Sequence, residues 1–274
     1  MEALTVCLWI FAASCLVTWV LSLITKEYSW VDRVWSIIPV VYVWVFTSAA
    51  GFADTRLTVM AVLVTLWGAR LTFNFARKGG YAPGGQDYRW VILRSRMKPW
   101  QFGLFNLFFI SIYQNILLLL ITLPAFTVLE HPDTQFGFLD VLVAVLFLAF
   151  LVGETVADQQ QWNFQTRKRV LQASGQPVTP RFLQDGLFRY SRHPNFFFEQ
   201  AQWWAFFLFG AIAVGSLWQW SVIGAFLLTL LFIGSTIFTE RISLERYPEY
   251  ADYQRRTSPI VPWPPRPAVG AEAS

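Results

Sequence analysis

Long apolar runs separated by short polar connectors dominate this chain. Runs of about 17–25 apolar residues are long enough, as helices, to cross a hydrocarbon core of about 30 Å. The pattern predicts seven such spans, at residues 4–25, 34–50, 57–75, 101–124, 138–157, 194–214 and 218–240. Pro39 predicts a kink in the second span, and Pro124 the end of the fourth. The fifth is expected to run on as a polar helix to about residue 170, and a tight turn at Gly215 to join the last two. Polar connectors fall at 26–33 (KEYSWVDR), 51–56, 125–137 and 171–193, with a glycine-rich basic loop, GGYAPGGQDYRW, inside 76–100. The expected architecture is a single all-α integral membrane domain, residues 1–266, folded as a seven-helix bundle. The tail is charged, then proline-rich (PIVPWPPRP), and residues 267–274 read as disordered. Glu2 precedes the first span, which lacks a basic n-region and a small-residue cleavage site, so that span is expected to be retained.

Composition agrees with this pattern. Of 274 residues, 55% are hydrophobic and 14% charged, where soluble domains carry about a quarter charged residues. A net charge of +4 could suggest nucleic acid, but the basic residues are divided among loops, so no nucleic-acid partner is expected. Their division has a sidedness. The 76–100 loop holds six Lys/Arg, segment 158–195 holds six, and the tail from Glu240 holds five Arg, whereas 125–140 holds none and three acids. By the positive-inside rule this puts the N-terminus outside and the C-terminus in the cytoplasm. Cys7 and Cys15 share one apolar segment and read as reduced packing residues. His131 and His193 fall on opposite predicted sides, so no metal site is expected.

Polar side chains recur inside the spans at helical spacing. Ionisable residues there cost about 2.5–3.5 kcal/mol each on insertion scales, so each needs a reason. Arg70, Asn74 and Arg77 lie on the third span; Asn106, Gln114 and Asn115 on the fourth; Glu154, Asp158, Gln161 and Gln165 on the fifth; Glu240, Arg241 and Glu245 end the seventh. Each set could be interhelical glue, or arginines snorkelling to the interface. Four seams at the cytoplasmic end instead favour a polar cavity facing the cytoplasm.

Residues 186–200, GLFRYSRHPNFFFEQ, point to what that cavity holds. A basic loop with Arg189, Arg192 and His193 precedes Pro194, a residue favoured at the first helical position. Helix N-termini offer unpaired N–H groups and a positive dipole end, which suit a phosphate or carboxylate. Asn195, Glu199 and Gln202 follow on one face. A basic mouth leading to a polar seam suits a buried cofactor.

GLFRYSRHPNFFFE, with ETVADQQQWNFQTRKR upstream and ERISLERYPEYADYQRRTS downstream, resembles the membrane steroid 5-alpha-reductase family. More closely it resembles the bacterial-type branch of unknown function, DUF1295; YSWVDRVW and GGQDYRW extend the match over most of the chain. The resemblance implies a seven-helix fold that binds NADPH and reduces a carbon–carbon double bond conjugated to a carbonyl in a lipid-like substrate entering from the membrane. It assigns Asp158 to the ribose or nicotinamide side and Arg167 and Arg189 to phosphates, with Tyr190, Asn195 and Glu199 lining the cofactor. Trp162, Arg192, His193, Glu240, Arg241 and Arg256 complete the expected cofactor set. His193 could equally be a plain loop histidine. The steroid reductases polarise the enone oxygen with a third-helix tyrosine and a second-helix glutamate. Here Trp67 stands at the tyrosine position and residues 34–50 contain no glutamate. The nearest substitutes are Asp32 and Tyr28, with Asp87 and Tyr88 next, although Tyr28 and Trp30 also fit an aromatic belt. RHPNFFFE also looks like the isoprenylcysteine and phospholipid methyltransferases, so the alternative cofactor is S-adenosylmethionine. The arginine surplus favours the phosphorylated one.

Overall fold

The computed structural model describes residues 2–267. It is all-helical: among the described residues there is no β-strand, only an isolated bridge between Ser191 and Ser258. Six helical stretches are long and apolar enough to cross a bilayer: Glu2–Thr25, Trp30–Ala49, Thr55–Arg77, Pro99–Leu129, Phe138–Ala173 and Val222–Arg246. Helix Pro194–Val214 falls outside that set, because Asn195, Glu199, Gln200 and Gln202 dilute its first turns. The predicted disordered tail lies, apart from Pro267, outside the described residues.

Packing divides the chain into two compact units, one of residues up to Phe147 with Trp203–Leu228, the other of Leu148–Gln202 with the chain from Thr229 onward. In the first unit, α1 (Glu2–Thr25) buries a stripe of small residues, Ala3, Cys7, Ser14, Thr18 and Ser22. Small side chains let helices approach closely where lipid supplies no hydrophobic drive. Against this stripe lies a wide-wound π-helical segment, Asn106–Tyr113, followed by α7 (Gln114–Leu120); α6 (Pro99–Phe105) precedes it. Ser14 Oγ donates to Asn115 Oδ1 at 2.6 Å, Asn115 Nδ2 donates to the Ser111 carbonyl at 2.7 Å, and Asn106 Nδ2 donates to Ser22 Oγ at 2.8 Å. The fourth-span polar residues Asn106 and Asn115 are therefore interhelical glue.

Two predicted boundaries move. The second span begins at α2 (Trp30–Trp35), so half of the expected polar connector is helical. After a break at Ser36–Ile37 comes α3 (Ile38–Ala49), with Pro39 in its first turn, where a missing N–H costs nothing. Pro124 does not end the fourth span: it sits in the first turn of α8 (Leu123–Leu129), and the apolar stretch continues to Leu129. On α4 (Thr55–Arg77), Gly68 faces the α2–α3 break, and a Cβ there would stand 2.5 Å from the Ser36 carbonyl oxygen. A further helix, α5 (Tyr88–Arg96), lies within the expected loop 76–100; Asp87 caps it, accepting from Arg89 N at 2.8 Å. Trp67 is fully buried, edge-on to Trp203 with centroids 4.9 Å apart.

The later elements start near their expected places, but the last apolar helix runs from Val222 to Arg246 instead of over 218–240, and a short further helix lies in the expected tail. Helix α9 (Phe138–Ala173) has 36 residues, about 54 Å at 1.5 Å per residue, so it outruns a bilayer and carries the expected polar extension. Helix α10 (Pro194–Val214) starts at the expected proline; Gly215, at φ +74°, turns the chain; α11 (Val222–Arg246) and α12 (Tyr250–Arg256) complete it.

One buried ion pair closes the first unit. Arg56, just inside α4, donates through Nε to Asp140 Oδ1 at 2.6 Å and through Nη2 to Oδ2 at 2.9 Å. Both side chains are 1% exposed. The remaining guanidinium N–H groups reach the Thr134 and Gln135 carbonyls, and Gly137 N donates to Asp140 Oδ2. Removing one partner of such a pair strands a buried charge, whereas replacing both with apolar groups does not. Asp140→Ala should therefore destabilise the protein by about 3–5 kcal/mol, read as a lowered melting temperature in detergent, while Arg56→Met/Asp140→Leu should recover most of the loss.

Candidate functional site

The expected cofactor residues all lie in the second unit, four of them (Arg189, Tyr190, Arg192 and His193) on the loop that feeds α10. Helix α9 contributes Glu154 and Asp158, buried one turn apart, then half-buried Trp162 and exposed Arg167. The loop is tied to α9 at Gln160, whose Oε1 accepts the Leu187 N–H at 3.0 Å. Gly186, at φ +62°, opens a 3-10 turn (Gly186–Arg189), and a Cβ on it would run into the Gln160 amide at 2.6 Å. Glycine meets both demands at once. Arg189 and Tyr190 are exposed.

Arg192 and Glu240 are engaged with each other. The guanidinium donates from Nε to Glu240 Oε1 at 2.6 Å and from Nη2 to Oε2 at 2.9 Å, a two-pronged pairing that suits the planar fork. Nη1 donates to the carbonyls of Gln254 and Thr257. His193 Nε2 lies 3.2 Å from Glu240 Oε1, and Gln254 Nε2 donates to Oε2 at 2.7 Å. The expected phosphate ligand Arg192 thus has its Nε, both Nη1 and one Nη2 donor engaged with protein acceptors, and Glu240 holds three partners.

Past α12 the proline-rich segment straps this loop. Arg192 N donates to the Ser258 carbonyl at 2.8 Å, Ser191 Oγ to that of Ile260 at 2.6 Å, and Trp263 N to that of Tyr190 at 2.9 Å. The Tyr253 hydroxyl donates to the Phe188 carbonyl, and burial pushes that phenol well above its ordinary pKa. Prolines have no N–H to leave unpaired, which fits a strap bonded mainly through its carbonyls. Beside it, Arg181 grips Glu249 in a second bidentate pair (2.6 and 2.8 Å) that holds the Glu249 carboxyl below the usual range, while Lys168 Nζ donates to the Arg181 carbonyl. A surface cleft of about 350 Å³ between residues 178–184 and 249–256 includes Arg256 in its lining; Arg241 is exposed at the end of α11.

Helix α10 carries half-buried Asn195, then buried Glu199 and Gln202. Gln202 Nε2 donates to Glu154 Oε2 at 2.6 Å, joining α10 to α9, while its buried Oε1 has no hydrogen-bond partner among the described residues. Gly153 permits the approach: a Cβ there would meet the Phe198 ring at 2.5 Å.

The candidate acid residues lie in the first unit, where two sequence motifs dock on each other. Glu27 accepts from Gly84 N at 2.6 Å and from Arg33 Nη2 at 2.5 Å. Those two donors, the Gly84 N–H foremost, hold the Glu27 carboxyl below its ordinary pKa. Arg33 Nε donates to the Gly80 carbonyl at 3.1 Å, and Asp87 N donates to Ser29 Oγ at 2.8 Å. Asp32 Oδ2 accepts the Trp90 indole N–H at 2.9 Å. Asp87 is clasped by Arg89, its Nη2 at 2.7 Å from Oδ2, and Tyr88 is exposed. Tyr28 is buried, edge-on to Phe102 at 4.7 Å. That core packing places the Tyr28 ring inside the protein instead of in an aromatic belt.

Sequence reasoning missed Gln160, Ser191, Gln254 and the Glu27–Arg33 pair. Gln160 falls off the 3–4 spacing of the recognised α9 stripe, and the others, like it, act through contacts that no local pattern displays.

Comparison with known proteins adds a family. A family profile described as "Protein of unknown function (DUF1295)" matches residues 18–257. An uncharacterized protein of Schizosaccharomyces pombe is 41% identical over 261 residues, covering 90% of this chain and 76% of the relative. No solved structure matches.

If Glu240 holds the loop through Arg192, then Arg192→Ala should loosen the strap before it unfolds the helices. Each charge-assisted bond is worth about 1.5–3 kcal/mol. Hydrogen exchange of the Trp263 and residue-192 amides should accelerate on the order of tenfold or more, with helical content unchanged by circular dichroism.

Proposed function

The chain belongs to the DUF1295 family of proteins of unknown function, and on that premise we propose that it is an NADPH-dependent membrane reductase acting on a conjugated carbon–carbon double bond of a lipid-like substrate. The observation that carries the reading is GLFRYSRHPNFFFEQ folded as a loop that exposes Arg189 and Tyr190 and runs into the N-terminus of α10, with Glu199 buried in the helix's second turn. Under the same reading α10 is a seventh span. The alternating loop charges support an outside N-terminus and a cytoplasmic C-terminus, within one membrane domain.

The residues fit such a cofactor in kind. Exposed Arg167, Arg189, Arg241 and Arg256 offer guanidinium groups to phosphates. Asp158, Asn195 and Glu199 offer acceptors to ribose hydroxyls, with Tyr190 and Trp162 beside them. The partnerless Gln202 Oε1 is an acceptor suited to a carboxamide N–H. Arg192, His193 and Glu240 we reassign to holding the loop, since their hydrogen bonds are made within the protein.

NADPH, when bound, supplies the hydride that the β-carbon of the activated alkene accepts. The chain's part is to bind and orient it and to deliver a proton to the α-carbon. Asp32 and Tyr28 are the proposed acids. Asp32 is held by the Trp90 indole N–H and by the Ser29 side chain, and its carboxyl is the group assigned to the proton.

The competing reading, methyl transfer from S-adenosylmethionine, needs no phosphate-binding arginines. Ligand-dependent melting of the detergent-purified protein separates the two. A site filled at about 100 times its Kd adds about 2.7 kcal/mol of stability. NADPH should raise the melting temperature and S-adenosylmethionine should not, with Arg189→Ala and Glu199→Gln each weakening the NADPH shift. The reverse ligand preference would assign the methyltransferase reading, and two variants that respond like the parent would displace the cofactor from this loop.

A further inference from the structure

The surface cleft between residues 178–184 and 249–256 encloses about 350 Å³. Small-molecule sites run from about 300 to 1,000 Å³, so the cleft has room for one end of a dinucleotide and not for the whole. Val178, Pro180 and Phe182 give it an apolar side. The Phe182 ring is fixed there by Tyr253, stacked at 5.6 Å, and by Tyr250, edge-on at 5.1 Å. An apolar surface held in place in this way suits a flat heterocycle.

The charged residues of the cleft sort by pairing. Glu249 is engaged by Arg181, and Asp252 by Arg255. Arg256, on the same lining, is exposed, and its guanidinium has no hydrogen-bond or ion-pair partner among the described residues. It is thus the cation of the cleft left for a ligand, and its planar fork suits a phosphate. Cleft and loop also meet. Tyr253, on the cleft lining, donates its hydroxyl to the carbonyl of Phe188, directly before Arg189. Thr257, directly after Arg256, has its hydroxyl 3.5 Å from the Arg189 carbonyl. A ligand seated in the cleft therefore continues toward the loop that feeds α10.

Resting on the NADPH reading above, we propose that this cleft seats the adenosine end of the cofactor, with Arg256 the residue that recognises its 2′-phosphate. The nicotinamide end belongs with buried Glu199 and Gln202 on α10, which leaves the exposed cleft for the opposite end. Arg189 then faces the pyrophosphate, which NADPH and NADH share. Arg256 faces the phosphate that only NADPH carries, and so sets the preference between them.

The test is equilibrium binding of NADPH and NADH to the full chain in detergent. A charge-assisted contact is worth about tenfold or more in affinity, so the parent should prefer NADPH by about that factor. Arg256→Gln should abolish the preference by weakening NADPH alone. Thr179→Trp, which fills the cleft from an exposed position on its lining, should weaken both nucleotides equally. The charge-matched Lys98→Gln protein should keep both parental affinities. Adenosine 2′,5′-bisphosphate should displace NADPH from the parent better than adenosine 5′-monophosphate does, and lose that advantage in Arg256→Gln; this arm reads the cleft even if Thr179→Trp does not fold. Saturable NADPH binding whose preference over NADH survives Arg256→Gln, or parental affinities in folded Thr179→Trp, overturns the cleft assignment and leaves the NADPH reading standing. Binding of neither nucleotide by the folded parent overturns that reading and the cleft assignment with it.

Discussion

Hydrocarbon offers no water to an unpaired polar group, and this protein keeps its polar side chains by giving most of them protein partners. The rule accounts for Arg56 with Asp140, for the Ser14–Asn115 and Ser22–Asn106 contacts, and for Gln202 with Glu154. The same rule draws attention to what is left over. Gln202 Oε1, on the helix that the loop feeds, is one of several buried polar atoms with no partner among the described residues, Asn106 Oδ1, the Tyr42 hydroxyl and Ser221 Oγ being others.

Two kinds of arginine emerge from this constraint. Arg56 and Arg192 spend their forks on carboxylates and backbone carbonyls and act as internal braces. Arg189, Arg241 and Arg256 are exposed near the loop and the C-terminal elements of the second unit. A count of arginines on one side of the membrane cannot separate a brace from a ligand-binding group; the hydrogen-bond geometry can. The brace at Arg192 also explains the proline-rich C-terminal segment, which closes over residues 190–192 through carbonyl acceptors and one indole-bearing residue's N–H.

Much of the fold was legible in the chain because the cues are local. Pro194 marked the start of α10 through its own missing N–H, Gly215 the turn after it through its positive φ, and the change from apolar to polar periodicity the extension of α9. Pro124 misled because the same local rule, proline in a first helical turn, also permits a helix to restart without leaving the apolar stretch. Helix α5 was hidden by the glycines and proline before it, and α2 by its charged residues, since both are helical through docking: Asp32 to Trp90, Ser29 to Asp87, Glu27 to Arg33 and Gly84. Arg56 and Asp140 are 84 positions apart, and nothing short of the folded chain pairs them. For the candidate site, the loop and the helix start after it were readable in advance from Pro194; the engagement of Arg192 and His193 with Glu240 was not.

The central claim is that the α10 loop and its buried seam grip a phosphorylated nicotinamide nucleotide. Equilibrium binding of NADPH to the full chain reconstituted in lipid tests it most directly. The account predicts saturable binding at one molecule per chain, weaker for NADH, which lacks one phosphate, and weakened by exchanging Arg189 for alanine. Absence of saturable NADPH binding by the folded, reconstituted protein would contradict it.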